Sequence, residues 1–364
     1  MRHFLTRLSL VFLSLSGAAV AQESLPQLSI KQDAPKSYIV EKGDTLWDIS
    51  EMYLDSPWLW PRLWQVNPEI DNPHLIYPGD KLSLVWRNGQ PVLSVKPIMK
   101  LSPKIRVKDK KAVPTVNEGL VLPYLQSDRL VTQADIESAQ RVLGTSDGRK
   151  FLTAQDRLFI SGQQQHQKWG IYRAVATYQR TQPATSIVSL RLVATAQLSS
   201  VDDEFSSLKV DSQLQEILIN DVVLPELVLD KSKLTTTFYP SPTAADQSAN
   251  IVGSLEGAKF SAKNQVVVIN RGTDDDLRQG SMFSLRQPGA VVYGQQGEYS
   301  YDNDALGNKV QLPNTEIGNL MVIRPYQHFS LALVTQNSQP ISNETLAVSP
   351  LTMVLNHSAS AIEP

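Results

Sequence analysis

The sequence lacks several groups that hydrolytic enzymes depend on. Its 364 residues include no cysteine and only five histidines. The absence of cysteine excludes disulfide bonds, a lipid-modified N-terminal cysteine and thiol nucleophiles. The histidines show neither H-x-H nor H-E-x-x-H spacing, and no G-x-S-x-G elbow is present. A glycosidase with two carboxylates stays open, because its acids are set by geometry and not by sequence spacing.

Charge of one sign is also missing. The chain has 34 basic and 36 acidic residues, a formal net charge of −2. No global field therefore favours nucleic acid or a membrane surface, and we expect no nucleic-acid partner. With 41% hydrophobic and 19% charged residues, the composition is that of a globular protein, and the length predicts two or three domains.

The N-terminus has the pattern of a secretory signal peptide. Arg2, His3 and Arg7 are basic, residues 8–15 are apolar, and residues 19–21 read Ala-Val-Ala. Cleavage near Ala21 would leave a mature chain that starts near Gln22. The alternative is an uncleaved anchor, although the apolar run is short for a bilayer span. No later stretch is long and apolar enough to be a membrane helix, so we expect no transmembrane segment after cleavage.

Shifts in composition divide the chain into segments. In order, we predict a signal peptide (1–21), a linker (22–36), a compact module (37–86), a basic proline-containing linker (87–111), a β-rich domain (112–235), a linker (236–250), a C-terminal β-rich domain (251–345) and a flexible tail (346–364). The fold class is multidomain: a small α+β module with βααβ order, followed by two β-rich domains that are small barrels or sandwiches.

Apolar alternation and β-branched residues predict the strands of the two β-rich domains. The predicted strands are Arg157–Ser161, Gly170–Tyr178, Ile187–Ala196, Glu216–Leu224, Gln265–Gly272, Ser281–Leu285, Glu316–Arg324 and Ser330–Thr335. Residues 135–143 predict a short helix, and residues 287–315 a long mobile loop. Pairs such as Gly79-Asp80, Gln155-Asp156, Asn220-Asp221 and Gln279-Gly280 precede alternating runs, which is typical of tight turns in small barrels.

The compact module carries the most specific motif. Residues 38–50 combine a strand with a Gly-Asp-Thr helix start, and Asp44 or Thr45 can cap a helix that begins at Leu46 or Trp47. Asn67-Pro68 ends a second helix, and residues 77–80 turn into a second strand. This order closely resembles the LysM module, which binds the N-acetylglucosamine backbone of peptidoglycan or chitin. Asn88-Gly89 favours a hairpin immediately afterwards.

The LysM resemblance implies where glycan would bind. In that family, glycan lies in a shallow groove between the first strand–helix loop and the second helix–strand loop. Here those loops contain Gly43, Asp44, Thr45 and Leu46, and Asn72, Pro73, His74, Leu75 and Ile76. Backbone amides of these loops can bond the acetamido group, and Leu46, Ile76 or Tyr77 can pack on a pyranose face. We expect no catalytic residue, no metal site and no cofactor.

Most of the module's large apolar residues are predicted to form its core. The core set is Leu46, Trp47, Ile49, Leu63, Trp64 and Leu82. An insert relative to short LysM sequences, residues 55–62, adds Trp58 and Trp60. It can extend the glycan surface or cover the core, and we favour a cover.

The rest of the chain resembles the type IV pilus secretin-associated LysM proteins. The resemblance rests on residues 102–107, 156–162, 169–173 and 215–225, and residues 266–283 are similar to the C-terminal domain of flagellar assembly protein T. Asn220 stands where that family tends to carry glycine. The resemblance implies an adaptor that links an outer-membrane secretin ring to peptidoglycan.

We therefore expect a periplasmic, non-catalytic protein that binds peptidoglycan through its LysM module and anchors an outer-membrane secretin or a similar envelope complex. The alternative is a peptidoglycan hydrolase that a LysM module targets to the wall. Two smaller questions remain open. The basic residues between 96 and 111 are either a solvated linker, which we favour, or a contact for anionic partners. Asp274, Asp275 and Asp276 are either a solvated turn, which we favour, or a calcium site.

Overall fold

The computed structural model describes residues 27–64, 76–96, 113–125, 130–149, 152–153, 156–226, 235–302 and 308–351. The predicted signal peptide lies outside the described residues, as do the predicted helix stop at Asn67-Pro68, most of the basic segment and residues 352–364 of the predicted tail. Among the described residues, no helix is long and apolar enough to cross a membrane.

The described residues form four α-helices and nineteen strands. The helices are α1 (Leu46–Tyr53), α2 (Trp60–Trp64), α3 (Glu118–Leu125) and α4 (Gln133–Ser138). The first ten strands are β1 (Ser37–Ile39), β2 (Lys81–Arg87), β3 (Gln90–Lys96), β4 (Leu130–Thr132), β5 (Gln140–Arg141), β6 (Arg157–Ser161), β7 (Lys168–Thr181), β8 (Ala184–Val201), β9 (Phe205–Gln213) and β10 (Val222–Pro225). The remaining strands are β11 (Ser241–Pro242), β12 (Ser248–Ser254), β13 (Val266–Ile269), β14 (Ser281–Gln287), β15 (Val291–Gly294), β16 (Asn308–Gln311), β17 (Thr315–Pro325), β18 (Ser330–Asn337) and β19 (Leu346–Val348).

The N-terminal module has the predicted strand–helix–helix–strand order. Its sheet is β1-β2-β3, with both neighbouring pairs antiparallel. All six residues predicted as core are at most 5% exposed, which confirms that prediction. The insert forms a 3-10 turn that leads into α2, and Trp58 and Trp60 are buried. The insert therefore covers the core, as we favoured.

Two segments predicted as linkers are part of this module. Asn88 and Gly89 both take positive φ and form the predicted hairpin, but β3 then extends the sheet through residues 90–96. On the N-terminal side, the Lys31 amide donates to the Tyr53 carbonyl at 2.9 Å, and Ile30 packs on the core. The chain is ordered here because its apolar side chains pack against the hydrophobic core of the module.

The middle domain is a nearly closed antiparallel barrel of strand order β5-β10-β7-β8-β9-β6. A bridge between Gly144 and Phe159 joins its two edges. The predicted strand at residues 216–224 begins only at Val222, because a turn with Asn220 at φ +70° precedes it. The predicted helix at residues 135–143 is α4, which ends at Ser138. Strand β9 was not predicted.

The C-terminal domain is a closed barrel of six strands, β14-β17-β18-β13-β12-β19, in which β19 pairs with both β12 and β14. The closing strands lie where we predicted irregular segments. Residues 236–250 hold β11 and the start of β12, and residues 346–348 form β19. The predicted loop at residues 287–315 contains the two-stranded sheet of β15 and β16. Strands of two to four residues are too short to show a periodic signal.

Four strands begin after the same tight turn, and three of these turns lie at recurring pairs that were predicted; the turn before β13 was not predicted. The turns are Tyr77–Asp80, Leu218–Asp221, Ala262–Gln265 and Arg278–Ser281. In each four-residue turn, the amide of the fourth residue donates to the carbonyl of the first residue at 3.0–3.2 Å. The side chain of the fourth residue accepts from the amide of the first residue at 2.8–3.1 Å. The third residue has positive φ each time. Asparagine at position 220 is tolerated because it accepts this conformation better than other non-glycine residues.

The C-terminal barrel buries both faces of its sheet. Val267 and Ile269 of β13 point into the barrel, whereas Val266 and Val268 belong to a second core outside it. That second core also contains four of the module's five tryptophans, Val121 and Leu125 of α3, and Tyr178 and Ile187 of the middle domain. The module, residues 113–125 and the outer face of the barrel therefore share one apolar core.

A buried ion pair connects the middle domain to the C-terminal barrel. The guanidinium of Arg180 in β7 donates to both carboxylate oxygens of Asp275 at 2.6 and 2.8 Å. Burial raises the pKa of Asp275, but bonds from Arg180 and from the Gly272 amide outweigh it and lower the pKa overall. Asp275 is thus an interdomain contact, and the favoured interpretation of residues 274–276 as only a solvated turn was wrong for this residue.

Candidate functional site

The first predicted glycan loop is held by its own side chains. Gly43 has φ +107°, a conformation that side chains rarely adopt. The Asp44 carboxylate accepts from the Glu41 amide at 2.8 Å and from the Tyr38 hydroxyl at 2.9 Å. Burial and the bond to Asp44 raise the pKa of Tyr38 to about 12, so the phenol remains a donor at neutral pH. The loop is therefore fixed before any ligand arrives.

Thr45 starts helix α1, as predicted. Its Oγ1 accepts from the Asp48 amide at 3.0 Å and donates to the Asp48 carboxylate at 2.7 Å. Thr45 is only 2% exposed. A buried cap fixes the direction in which the first amides of α1 point.

Those first amides are already bonded within the chain. The Leu46 amide donates to the Pro114 carbonyl at 2.9 Å, and the Trp47 amide donates to the Thr115 carbonyl at 3.0 Å. We refer to residues 113–116 as the strap. The strap also meets the second predicted loop, because the Val113 amide donates to the Ile76 carbonyl at 2.9 Å. The strap thus connects the two loops that the LysM resemblance places on either side of the glycan.

The predicted site residues fall into two groups. Gly43, Asp44, Thr45, Leu46 and Ile76 are described, whereas Asn72, Pro73, His74 and Leu75 lie outside the described residues. Leu46 and Ile76 come together beneath the strap, and both side chains are fully buried. In this arrangement they offer no apolar face to a sugar, because the core and the strap cover them. Their part in glycan binding stays a prediction.

Most of the module's tryptophans are core residues and form no exposed aromatic surface. Four of the five are buried, and only Trp86 on β2 is exposed, at 64%. Trp86 pairs with Pro91 at the hairpin end of the sheet. A flat exposed indole can stack on a sugar ring, but this one belongs to a strand and to neither predicted loop.

A cleft of about 180 Å³ opens beside the strap, between the start of α1 and the C-terminal barrel. Its lining residues are Thr45, Trp47, Asp48, Val116, Asn117, Leu120, Lys263, Asn264, Leu333 and Thr335. Polar groups surround an apolar floor, and Lys263 pairs with Glu51 of the module at 2.9 Å. The cleft therefore belongs jointly to the module and the barrel.

The strap was missed at the sequence level. Residues 113–116 read Val-Pro-Thr-Val, which has no motif of its own and follows the basic segment. The complete burial of Thr115 is visible only in the structure, where the strap lies between the module and the C-terminal domain. Among the described residues, no group of three or more histidine, aspartate or glutamate side chains is placed to hold a metal ion.

Comparison with known proteins agrees with this geometry. Residues 38–85 match the family model of the LysM domain, which indicates binding of peptidoglycan or a related glycan. A protein of Bacillus subtilis (strain 168) described as "Uncharacterized protein YqbP" is 38% identical over 63 residues. This match covers 15% of the chain and 29% of that relative, so the two proteins correspond over less than a third of the relative's length.

Proposed function

We propose that the protein is a non-catalytic periplasmic adaptor that binds peptidoglycan through residues 38–85 and anchors an outer-membrane assembly, the type IV pilus secretin ring. The observation that carries the proposal is a LysM domain whose core continues into two β-barrels. A module joined in this way transmits a pull on the wall to both barrels, which suits an anchor. Periplasmic location rests on the signal-peptide pattern of residues 1–21.

The partner proposal rests on the resemblance of the barrels and on their exposed surface. The middle barrel exposes Leu143, Leu214 and Ile219 in the segments that follow β5 and β9, at 44–66%. These segments are adjacent, because the Val142 amide donates to the Asp221 carbonyl at 3.0 Å. Apolar side chains of this kind favour a protein contact over a glycan contact.

Incubation of the mature chain with purified sacculi tests the wall-binding half. We expect the chain to pellet with sacculi, soluble N-acetylglucosamine oligomers to compete, and no muropeptides to be released. A single LysM module makes few contacts, so we expect an affinity of roughly micromolar to millimolar. Release of soluble muropeptides would instead support the hydrolase alternative, and failure to pellet would contradict wall binding.

Co-elution of the purified chain with a purified secretin ring tests the anchoring half. We expect Leu214→Glu to weaken co-elution, because it places a charge among the exposed apolar residues of the middle barrel. Leu312→Glu is the matched control, since Leu312 is 37% exposed on the C-terminal barrel. Equal co-elution of both variants would move the contact elsewhere, and no co-elution of the unaltered chain would contradict the secretin partner.

A further inference from the structure

The strap bonds described backbone groups on both sides of the groove that the LysM resemblance assigns to glycan. It accepts from two amides at the start of α1, those of Leu46 and Trp47, and donates to the carbonyl of Ile76 in the second loop. All three bonds are 2.9–3.0 Å long. The strap is also shielded from solvent, because Val113, Thr115 and Val116 are 3%, 0% and 4% exposed. The Leu46 and Trp47 amide hydrogens are therefore already used while the strap is in place.

The opposite side of the strap is bonded to the C-terminal domain. The Thr115 amide donates to the Thr236 carbonyl at 3.2 Å. Thr115 Oγ1 donates to the Phe238 carbonyl at 2.8 Å and accepts from the Phe238 amide at 3.0 Å. The strap therefore lies between the module and residues 236–238, and it holds both.

A peptide and an N-acetyl sugar present the same chemistry to these groups. The acetamido group has one carbonyl acceptor and one N–H donor, which are the two groups of a peptide unit. Two carbonyls of the strap accept from the amides of Leu46 and Trp47, and one N–H of the strap donates to the carbonyl of Ile76. An acetamido carbonyl that bonds the Leu46 or Trp47 amide must displace the strap carbonyl already bonded there, so peptide and sugar cannot both bond that amide.

We propose that the strap is an internal competitor for glycan, and that an acetamido group of peptidoglycan bonds the Leu46 and Trp47 amides only when residues 113–116 leave. This inference rests on the proposed glycan binding and adds a condition to it. Departure of the strap breaks three hydrogen bonds to Thr236 and Phe238. Wall binding is thereby coupled to the contact between the module and the C-terminal barrel, and strain on that contact changes the affinity for the wall.

Weakening the strap should strengthen wall binding. Thr115→Val keeps the volume of the side chain but removes both bonds of its hydroxyl. We expect about a fivefold gain in affinity for sacculi, since each lost bond shifts the balance toward the released strap. Thr243→Val is the matched control, because Thr243 is also buried and its hydroxyl bonds the Met282 carbonyl rather than an atom of the strap. An unchanged or lower affinity of folded Thr115→Val would overturn the inference.

The absence of cysteine makes strap release directly measurable. Val116→Cys introduces the only thiol of the full chain, at a position that is 4% exposed. We expect maleimide labelling to accelerate when N-acetylglucosamine oligomers are added, with the same concentration dependence as their binding. Val193→Cys, at a fully buried position in the middle barrel, should label slowly with or without oligomers. If Val116→Cys does not fold, Val113→Cys, at a position that is 3% exposed, serves instead.

The two experiments separate failure of the inference from failure of the proposed function. Oligomers that bind without any change in labelling would overturn the strap proposal and leave glycan binding intact. Absence of binding by the unaltered chain and by Thr115→Val alike would overturn both.

Discussion

Strands β6 and β13 show how differently the two barrels are placed in the molecule. In β6, Leu158 and Ile160 are buried and Arg157 and Ser161 are exposed, the alternation of a strand with one side in water. In β13, all four residues from Val266 to Ile269 are buried. The outer face of the C-terminal barrel is buried at β13, because Val266 and Val268 pack in one core with the module and residues 113–125. A strand in which every residue is apolar thus has one face in the barrel interior and the other packed against a neighbouring part of the molecule.

The strongest test of this contrast places a charge on each strand. Val268→Asp puts a carboxylate on the covered outer face of β13, where Val268 is fully buried. We expect a loss of about 4 kcal/mol or more in the free energy of unfolding, because the charge has no partner there. Ser161→Asp on the exposed end of β6 should cost less than about 0.5 kcal/mol. Urea unfolding followed by circular dichroism measures both, and equal effects would contradict a covered face.

The interdomain ion pairs sharpen the contrast. Arg180 and Asp275 have side-chain exposures of 7% and 17%, whereas Arg191 and Glu256, which join the same two domains, have 35% and 51%. Arg180→Met should cost about 3 kcal/mol, because it removes the two short bonds of a mostly buried carboxylate and leaves it only the Gly272 amide and the Arg271 guanidinium at 3.7 Å. Arg191→Met should cost about 0–1 kcal/mol. Calorimetry should show the barrels unfolding separately only in Arg180→Met. Similar losses in both variants would mean that burial does not set the strength of the pair.

The same pair predicts a dependence on acid. The pKa of Asp275 is lower in the folded protein than its ordinary value of about 4. Its contribution to stability is therefore complete above about pH 4 and is lost as the pH falls through the lowered folded-state value. The unaltered protein should lose more stability over that acid range than Asp275→Asn. Parallel stability–pH curves would show that the carboxylate does not act through its charge.

The helix caps give the smallest expected effect. Thr45→Ala removes the cap of α1, which is 2% exposed, and should cost about 1–2 kcal/mol. Thr132→Ala removes the cap of α4, where the threonine is exposed, and should cost about 0.5–1 kcal/mol. Thermal unfolding of the two variants compares them. A larger loss from Thr132→Ala would contradict the view that the module's helix start is held by packing.

Local signals predicted much of this fold. Gly43, Thr45, Gly79 and Asn88-Gly89 each determine backbone shape within a few residues, so the helix start, the turn and the hairpin of the module followed from the sequence. Strands such as β17 and β18 are long and apolar enough to be recognised. β11 and β19 were not, because two or three residues carry no period and only their partners make them strands.

The site was only partly predictable, for a similar reason. The cap at Thr45 and the conformation of Gly43 follow from local sequence. The bonds from Leu46 and Trp47 to the strap connect residues almost seventy positions apart. No local sequence motif at either position predicts them. The burial of Ile76 likewise depends on the strap, so sequence patterns could not separate a ligand contact from a core contact there.

The central claim is that residues 38–85 bind the wall glycan, and pelleting of paired histidine variants with purified sacculi tests it most directly. His74→Ala alters the second predicted loop, whereas His166→Ala alters an exposed residue beside Trp169 in the middle barrel. The account predicts that His74→Ala weakens pelleting several-fold and that His166→Ala pellets like the unaltered chain. Equal pelleting of folded His74→Ala and His166→Ala would contradict binding at the predicted loops.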